Sequence, residues 1–156
     1  ITRGPHLISG YWNQPEATRE AIRDGWFYTG DIAEIDADGF IYIKDRSKDM
    51  VISGGENVYP AEVEDVLSGH AGVREVGVIG QPSAKWGESV CAVVVRGDGW
   101  KGDDDLLVQE LRALAQTRLA RFKQPRRVIV LESLPRNAMG KVQKAALREA
   151  YKGLFG

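Results

Sequence analysis

The sequence predicts an α+β fold, in which a small mixed sheet is covered by helices and is preceded by a β-hairpin segment. Of the 156 residues, 43% are hydrophobic and 28% are charged, a composition typical of a packed protein. From about residue 49 the pattern runs strand, helix, strand, strand, helix, strand, helix, which favours a small sheet with covering helices. Four basic against eight acidic residues give a charge of −4 over residues 1–45, and 17 against 14 give +3 over the remainder. This change of sign indicates two structural units that meet near residue 46.

The first unit is predicted to contain a short helix and a hairpin. Asn13-Gln14-Pro15-Glu16 combines a capping residue with a proline suited to a first helical turn, and helix formers continue until Gly25. Two apolar segments then flank Asp36-Ala37-Asp38-Gly39, whose Asp-Gly pair favours a tight antiparallel turn. A single hairpin is marginally stable in water, so we expect residues 1–45 to be the end of a larger body.

The second unit has strand and helix patterns in turn. A short strand at 50–52 precedes Ser53-Gly54-Gly55, and Pro60 begins a helix that ends near Gly69. The remaining predicted elements are strands at 73–79 and 90–95 separated by a turn at 80–83, a helix capped by residues 103–105 with an inner face of Leu106, Leu107, Leu111, Leu114 and Leu119, a strand at 127–131 and a helix at 142–151.

The cysteine and histidine content excludes two kinds of site. Cys91 is the one cysteine and lies in a β-branched segment, so we expect it to fill the core. His6 and His70 have no second histidine or cysteine at ligand spacing, which excludes a zinc site and a cysteine–histidine nucleophile pair. No apolar stretch approaches the roughly 20 residues of a membrane-spanning helix, so we expect no transmembrane segment and a cytoplasmic protein.

Three segments have residue types suited to a ligand site. Asp31 follows a glycine at the entry to a strand, where its two oxygens can accept hydrogen bonds from neighbouring hydroxyls such as those of a ribose. Gly54 and Gly55 permit close backbone approach to a ligand or to another chain segment. Lys141 follows Gly140 on a loop, where it can act as a point charge toward phosphate or carboxylate oxygens. Taken singly, each segment is more typical of an ordinary turn, linker or helix start than of a ligand site.

In order and spacing, four segments together resemble the C-terminal part of the acyl-CoA synthetases. They are residues 25–31 (GWFYTGD), 43–49 (IKDRSKD), 52–64 (ISGGENVYPAEVE) and 135–141 (PRNAMGK). These enzymes belong to the adenylate-forming superfamily, with firefly luciferase and the adenylation domains of peptide synthetases. The chain is most similar to the fatty-acyl or aryl CoA ligase branch. The resemblance implies that residues 1–46 are the C-terminal end of a large N-terminal domain and that residues 47–156 are a mobile C-terminal α+β domain.

The resemblance implies an AMP-forming acid–thiol ligase. In that family a carboxylate attacks ATP to give an acyl-adenylate and pyrophosphate, and the CoA thiol then displaces AMP. The expected partners are therefore a carboxylic acid, ATP with Mg²⁺ bound mainly by the N-terminal domain, CoA, and that domain itself. Its phosphate-binding loop and acyl pocket have no counterpart in this chain, so we expect the chain alone to be inactive. A long-chain acid would add peripheral contact with a membrane.

The resemblance also implies roles around the nucleotide. Asp31 would hold the ribose hydroxyls, Arg46 would contact ribose and phosphate oxygens, and Asn57 matches an amide position near the nucleotide. Lys48 falls on the hinge about which the small domain turns between half-reactions. Lys141 matches the lysine that neutralises charge on the carboxylate and α-phosphate during adenylation.

A second group of residues is implied to bind CoA. Gly54 and Gly55 match glycines that line the pantetheine channel, and Trp86 matches an aromatic residue beside it. Phe122 and Arg126 lie in the segment that meets the CoA nucleotide in some relatives.

Two positions depart from the family pattern. Ile52 stands where some relatives have a lysine, and Gln124 stands where another has an arginine for the CoA phosphates. Neither side chain supplies a positive charge, so the resemblance does not settle which of residues 122–126 contact the CoA nucleotide.

Other functions compete with the ligase. A basic cluster interleaved with Phe122 is typical of a nucleic-acid-binding module; it consists of Arg118, Arg121, Lys123, Arg126 and Arg127. A pI near 6.2 and the acidic first unit oppose this function, so we expect no nucleic-acid partner. Another adenylate-forming enzyme and a non-catalytic interaction domain are further alternatives. The joint presence of Asp31, Arg46 and Lys141 argues against a decayed enzyme.

Overall fold

The computed structural model describes residues 1–155. By contact clustering the chain splits into two compact units, Ile1–Lys48 and Asp49–Gly156. Within the described residues, no helix combines the length and the apolar character needed to cross a membrane.

The first unit contains one short helix and two small hairpins. Its elements are α1 (Pro15–Ala21), β1 (Ile22–Arg23), β2 (Trp26–Phe27), β3 (Asp31–Ile35) and β4 (Ile41–Arg46). Helix α1 ends earlier than predicted because Ile22 is already extended and pairs with Phe27. The predicted hairpin is confirmed as β3–β4. Its turn forms because the Asp36 carboxylate accepts hydrogen bonds from the backbone N–H groups of Asp38 and Phe40, at 3.0 and 2.9 Å, and because Gly39 has a φ of +88°.

The second unit is a five-stranded sheet with helices on both faces. Its strands are β5 (Val51–Ser53), β6 (Glu56–Val58), β7 (Val73–Ser83), β8 (Gly87–Arg96) and β9 (Arg127–Leu131), and its helices are α2 (Pro60–Ser68), α3 (Asp104–Arg118) and α4 (Lys144–Ala150). Strand β8 is central, since it pairs antiparallel with β7, parallel with β9 and, through Ser53 and Gly87, with β5. The predicted mixed sheet and α+β class are confirmed.

Alternate residues of β8 face two different cores. Val90, Ala92 and Val94 pack with buried side chains of α2 and α3. Cys91, Val93 and Val95 pack with Leu134 and with Leu147 of α4. The continuous apolar run of β8 is therefore explained by burial on both faces of the sheet.

Three expectations about the second unit are wrong in detail. Residues 80–83 continue strand β7 instead of turning, because β7 is an edge strand of its sheet and Pro82 needs no ladder partner on the outer side. Leu106 is 42% exposed, since the buried stripe of α3 runs through Leu107, Leu111 and Ala115 at four-residue spacing. The last helix begins at Lys144 because Val142 forms a bridge with Arg136.

Candidate functional site

A tight hairpin turn at Gly54 and Gly55 joins β5 to β6. Both glycines have positive φ, +62° and +87°, a conformation that costs other residues energy. The backbone N–H of Gly54 donates to the carbonyl of Trp86 at 2.9 Å. A Cβ added to Gly54 would lie 3.0 Å from the Trp86 ring, whereas one added to Gly55 would meet nothing within 4 Å. The double glycine thus lets the hairpin lie directly against Trp86.

A cavity of about 480 Å³ opens beside this hairpin. Its lining residues come from the β5–β6 hairpin, from the β7–β8 turn and from the segment that follows α3; they are Ser53, Gly54, Glu56, Lys85, Trp86, Arg121, Phe122 and Arg126. Four of the five residues predicted to bind CoA are among them, and the fifth, Gly55, lies on the adjoining turn. The structure therefore brings together residues that are distant in sequence. We call this site the Trp86 cavity.

The Trp86 cavity has a basic lining. The guanidinium carbon of Arg126 lies 4.5 Å from the centre of the Trp86 ring, and the Lys85 ammonium lies 5.0 Å from it. Both distances are within the range of cation–π attraction. With Arg121, the lining holds three cations against the single carboxylate of Glu56. Such a surface attracts anionic groups, phosphates above all.

Two of the three cations that line the cavity were not predicted to bind CoA. Lys85 and Arg121 directly precede the aromatic residues Trp86 and Phe122, and this repeated cation–aromatic pair was the available signal. Local sequence does not show that the two pairs meet.

The segment after α3 is fixed by side chains from elsewhere in the second unit. The Lys123 ammonium lies 2.7 Å from both carboxylate oxygens of Glu62, at the start of α2. The side-chain amide of Gln124 donates to the carbonyl of Leu119 at 3.0 Å. Gln124 therefore holds the backbone of this segment. Lys123 and Arg126 are both engaged within the protein, so the basic cluster is not one free cationic surface.

Glu88 connects β5 to β8. Its carboxylate accepts a hydrogen bond from the backbone N–H of Ile52 at 2.8 Å, beside the single register pair between these strands. A Cβ on Gly80 would lie 2.7 Å from the same carboxylate, so the glycine leaves room for it. Glu88 thus fixes the strand that leads into the Gly54 turn, although the sequence analysis assigned it no role.

The two residues predicted to contact ribose face each other in the first unit. Asp31 and Arg46 are register partners in the β3–β4 hairpin, and Arg46 Nη1 lies 3.1 Å from Asp31 Oδ1. The backbone N–H of Ser47 donates to the carbonyl of Gly30 at 2.8 Å, which closes this end of the hairpin. Lys48 is exposed and is the last residue of the unit.

The other two residues predicted for adenylation belong to the second unit. Asn57 is exposed in the middle of β6, opposite Ile52. Lys141 lies in a turn in which the Asn137 carboxamide oxygen accepts hydrogen bonds from the N–H groups of Met139 and Lys141, at 3.0 and 2.9 Å. Its exposed ammonium forms no ion pair within residues 1–155. The turn therefore presents a cation to the exterior on an ordered backbone.

Cys91 is a core residue, as predicted. It is fully buried, and this burial raises the pKa of its thiol to about 12. A neutral, buried thiol is a poor nucleophile. Across the part of the chain that the structure describes, no group of three or more His, Cys, Asp or Glu side chains is arranged to hold a metal ion.

The family of the chain is shown by a comparison of its sequence with known families. A family model, the AMP-binding enzyme C-terminal domain, matches residues 62–141, which is half of the chain. The chain belongs to this family. The matched range includes Trp86, the segment after α3 and the Lys141 turn of this AMP-binding enzyme C-terminal domain.

Similar proteins include named CoA ligases. The long-chain-fatty-acid–CoA ligase FadD13 of Mycobacterium tuberculosis is 54% identical over 151 residues, which are 97% of this chain and 29% of the relative. A feruloyl-CoA synthase of Amycolatopsis is 48% identical over 97% of this chain and 30% of the relative. This chain thus spans about 30% of the length of the curated relatives it matches.

A solved structure is similar to this chain in both fold and sequence. ATP-bound MatB from Rhodopseudomonas palustris matches with a TM-score of 0.86 at 46% identity, over 99% of this chain and 30% of that one. The predicted relationship to the acyl-CoA synthetases is confirmed by these likenesses.

Proposed function

We propose that this chain is the C-terminal part of an ATP-dependent, AMP-forming acyl-CoA ligase, with residues 1–46 completing a large N-terminal domain and residues 47–156 forming a mobile C-terminal domain. The observation that supports this proposal most directly is the Trp86 cavity, where three cations and a double glycine lie together. The relatives named as CoA ligases support it further.

The Trp86 cavity suits CoA for two physical reasons. CoA combines a thin, neutral pantetheine arm with a nucleotide that bears several phosphate charges. A backbone turn without side chains at Gly54 and Gly55 lets the arm approach the main chain closely. Arg121, Arg126 and Lys85 supply charge for the phosphates. Trp86 and Phe122 add apolar surface between these two parts.

The remaining predicted site residues bind ATP and take part in adenylation. Asp31 accepts hydrogen bonds from the ribose hydroxyls and Arg46 donates to ribose and phosphate oxygens, with Asn57 near the nucleotide. Lys141 stabilises the negative charge that develops on the carboxylate and α-phosphate as the acyl-adenylate forms and pyrophosphate leaves. The Mg²⁺ that accompanies ATP is held mainly by the N-terminal domain.

The distance between the Lys141 turn and the Trp86 cavity within the second unit supports a domain rotation. The Lys141 turn is attached to Glu75 near the start of β7, through Arg136, whereas the Trp86 cavity follows Ser83 at its end. Glu75 and Ser83 are eight positions apart along this extended strand, a distance of roughly 26 Å. One reaction centre cannot meet both groups at once, so the second unit turns about Lys48 between adenylation and thioester formation.

Both half-reactions test this function in the complete protein. Pyrophosphate release with ATP and a panel of fatty and aryl acids measures adenylation, and thioester formation after addition of CoA measures the second step. We expect both with at least one acid, and neither with this chain alone. Pyrophosphate release followed by transfer only to an amine would favour another adenylate-forming enzyme. No pyrophosphate release with any acid, together with binding of duplex DNA or RNA at physiological salt, would favour the nucleic-acid-binding module. The proposed location is cytoplasmic, with peripheral membrane contact if the preferred acid is long-chain.

A further inference from the structure

The Lys141 turn is attached to strand β7 by one side chain. Arg136 Nη2 forms an ion pair with Glu75 Oε2, and Nη1 of the same guanidinium donates to the carbonyl of Gly140. Glu75 and Arg136 are 61 positions apart in sequence. Since Gly140 directly precedes Lys141, the guanidinium links β7 to the backbone that bears the lysine.

A second attachment lies on the other side of the turn. The Lys144 ammonium is 2.7 Å from Glu64 Oε1, and the same oxygen accepts the backbone N–H of Val78 at 2.7 Å. This ion pair is largely buried, with side-chain exposures of 18% and 23%. It joins the first residue of α4 to α2 and to the unpaired side of β7. The turn is therefore attached at both ends.

Helix α4 has attachments that do not involve the Glu75–Arg136 pair. Leu147 is buried in the core, Arg148 forms an ion pair with Asp49 at 2.7 Å, and the Gln81 amide donates to the carbonyl of Arg148 at 2.8 Å. By contrast, residues 136–141 are all exposed and contribute nothing to the core. Exposed ion pairs add little to global stability. The Glu75–Arg136 pair therefore restricts the position of the Lys141 turn.

We propose that Glu75 and Arg136 are positioning residues that hold the Gly140 carbonyl, and with it Lys141, in a single orientation before adenylation, with Glu64–Lys144 as the second attachment. This proposal rests on the proposed function of Lys141. A lysine loses several rotatable bonds when it binds an oxyanion, and a fixed backbone reduces the further ordering that the reaction requires. Loss of the attachment should therefore slow adenylation without changing ATP binding.

Hydrogen exchange in the complete protein measures the attachment without using activity. The variants are Glu75→Gln, Arg136→Gln and the double variant, with Asp104→Asn as the matched control. Asp104→Asn removes the Arg96–Asp104 ion pair, an exposed pair of the same unit at 3.0 Å. We expect amide exchange over residues 138–142 to accelerate about 5-fold or more in all three variants and to stay unchanged in the control. The double variant should equal the single ones because both changes break one linkage.

Rate measurements on the two half-reactions then distinguish a loss of Lys141 positioning from a general loss of protein stability. Glu75→Gln should lower the adenylation rate roughly 3- to 10-fold, with the KM for ATP and thioester formation from a supplied acyl-adenylate unchanged. Arg136→Lys keeps the positive charge, but its single ammonium replaces the two guanidinium nitrogens that bind Glu75 and the Gly140 carbonyl. Its adenylation rate should therefore lie between those of wild type and Arg136→Gln.

Each result has a defined meaning. Unchanged exchange in Glu75→Gln would overturn the attachment. Faster exchange with wild-type adenylation, while Lys141→Ala is impaired, would overturn the positioning role. Wild-type adenylation in Lys141→Ala itself would overturn the proposed function of that lysine instead.

Discussion

Arg126 lies against Trp86, with its guanidinium carbon 4.5 Å from the centre of the indole ring. The Arg126 backbone N–H donates to the carbonyl of Val90 at 2.9 Å, which attaches this arginine to the central strand of the sheet. Gly54 lies against another part of the ring. Trp86 is thus held between the glycine turn and a cation, and both contacts can be changed separately.

Substitution of Arg126 by glutamine should weaken CoA binding. The change removes one cation that we propose faces the CoA phosphates, so we expect about a 10-fold loss in kcat/KM for CoA, typical of one charged hydrogen bond. Arg127→Gln is the matched control, because Arg127 is the exposed neighbour in β9 and does not line the cavity. Steady-state kinetics with varied CoA measures both. Equal effects of the two substitutions would assign the loss to overall charge.

The two glycines can be compared with each other. Gly54→Ala and Gly55→Ala both place a side chain at positive φ, at a cost of about 1 kcal/mol each in stability, but only the Gly54 Cβ meets Trp86. We therefore expect the larger rise in KM for CoA, on the order of 10-fold, in Gly54→Ala. Gly55→Leu places a larger side chain on the same turn, where we propose that the pantetheine arm passes, and it should block thioester formation while adenylation continues. Parallel loss of both half-reactions would indicate misfolding.

Substitution of Lys141 by alanine should separate the half-reactions. Adenylation should fall on the order of 10²- to 10³-fold, as when one preorganised electrostatic donor is removed. Thioester formation from a supplied acyl-adenylate should persist, because the proposed domain rotation would move Lys141 away before that step. Lys152→Ala, an exposed lysine after the end of α4, is the control. Pyrophosphate release and thioester formation are measured on both variants, and a parallel fall in the two steps would contradict domain rotation.

The Asp31–Arg46 pair should be needed for ATP. Asp31→Asn weakens acceptance of the ribose hydroxyls, and we expect the KM for ATP to rise about 10-fold. Glu34→Gln is a control on the same hairpin, since Glu34 pairs with Lys44 at 2.7 Å and that ion pair lowers the pKa of Glu34. The control should leave the KM for ATP unchanged. If it raises the KM equally, the hairpin and not the carboxylate of Asp31 is responsible.

The buried thiol of Cys91 should make stability depend on alkaline pH. Burial raises its pKa from 9.0 to about 12, so the unfolded chain loses this proton first as pH rises. The contribution of Cys91 is therefore complete below pH 9 and is lost as pH rises from 9 toward 12. Urea unfolding of wild type and Cys91→Ala at pH 8 and pH 10.5 measures it, and the wild type should lose more stability between these two values. At pH 8 iodoacetamide should label the thiol only in urea.

Local sequence predicted the elements whose signals are local. The Asp38-Gly39 turn, the proline that opens α2 and the Asp103 cap, which accepts the Leu106 N–H at 2.8 Å, are all present. Strand β6 and the continuation of β7 through Pro82 were not predicted. A strand forms only when it pairs with a neighbouring strand. The local sequence of Glu56–Val58 and of residues 80–83 does not indicate which strand each of them pairs with.

The sequence by itself determined the family, the mixed α+β class and the motif residues, because glycines, prolines and charged residues at fixed spacings act through the local backbone. Only the tertiary structure decided which side chains meet. It placed Lys85 and Arg121 with Trp86 and Arg126 around one cavity, and it joined Glu75 to Arg136 across 61 positions. The order of strands in the sheet brings these residues together, and that order follows from burial of both faces of β8 rather than from any short pattern.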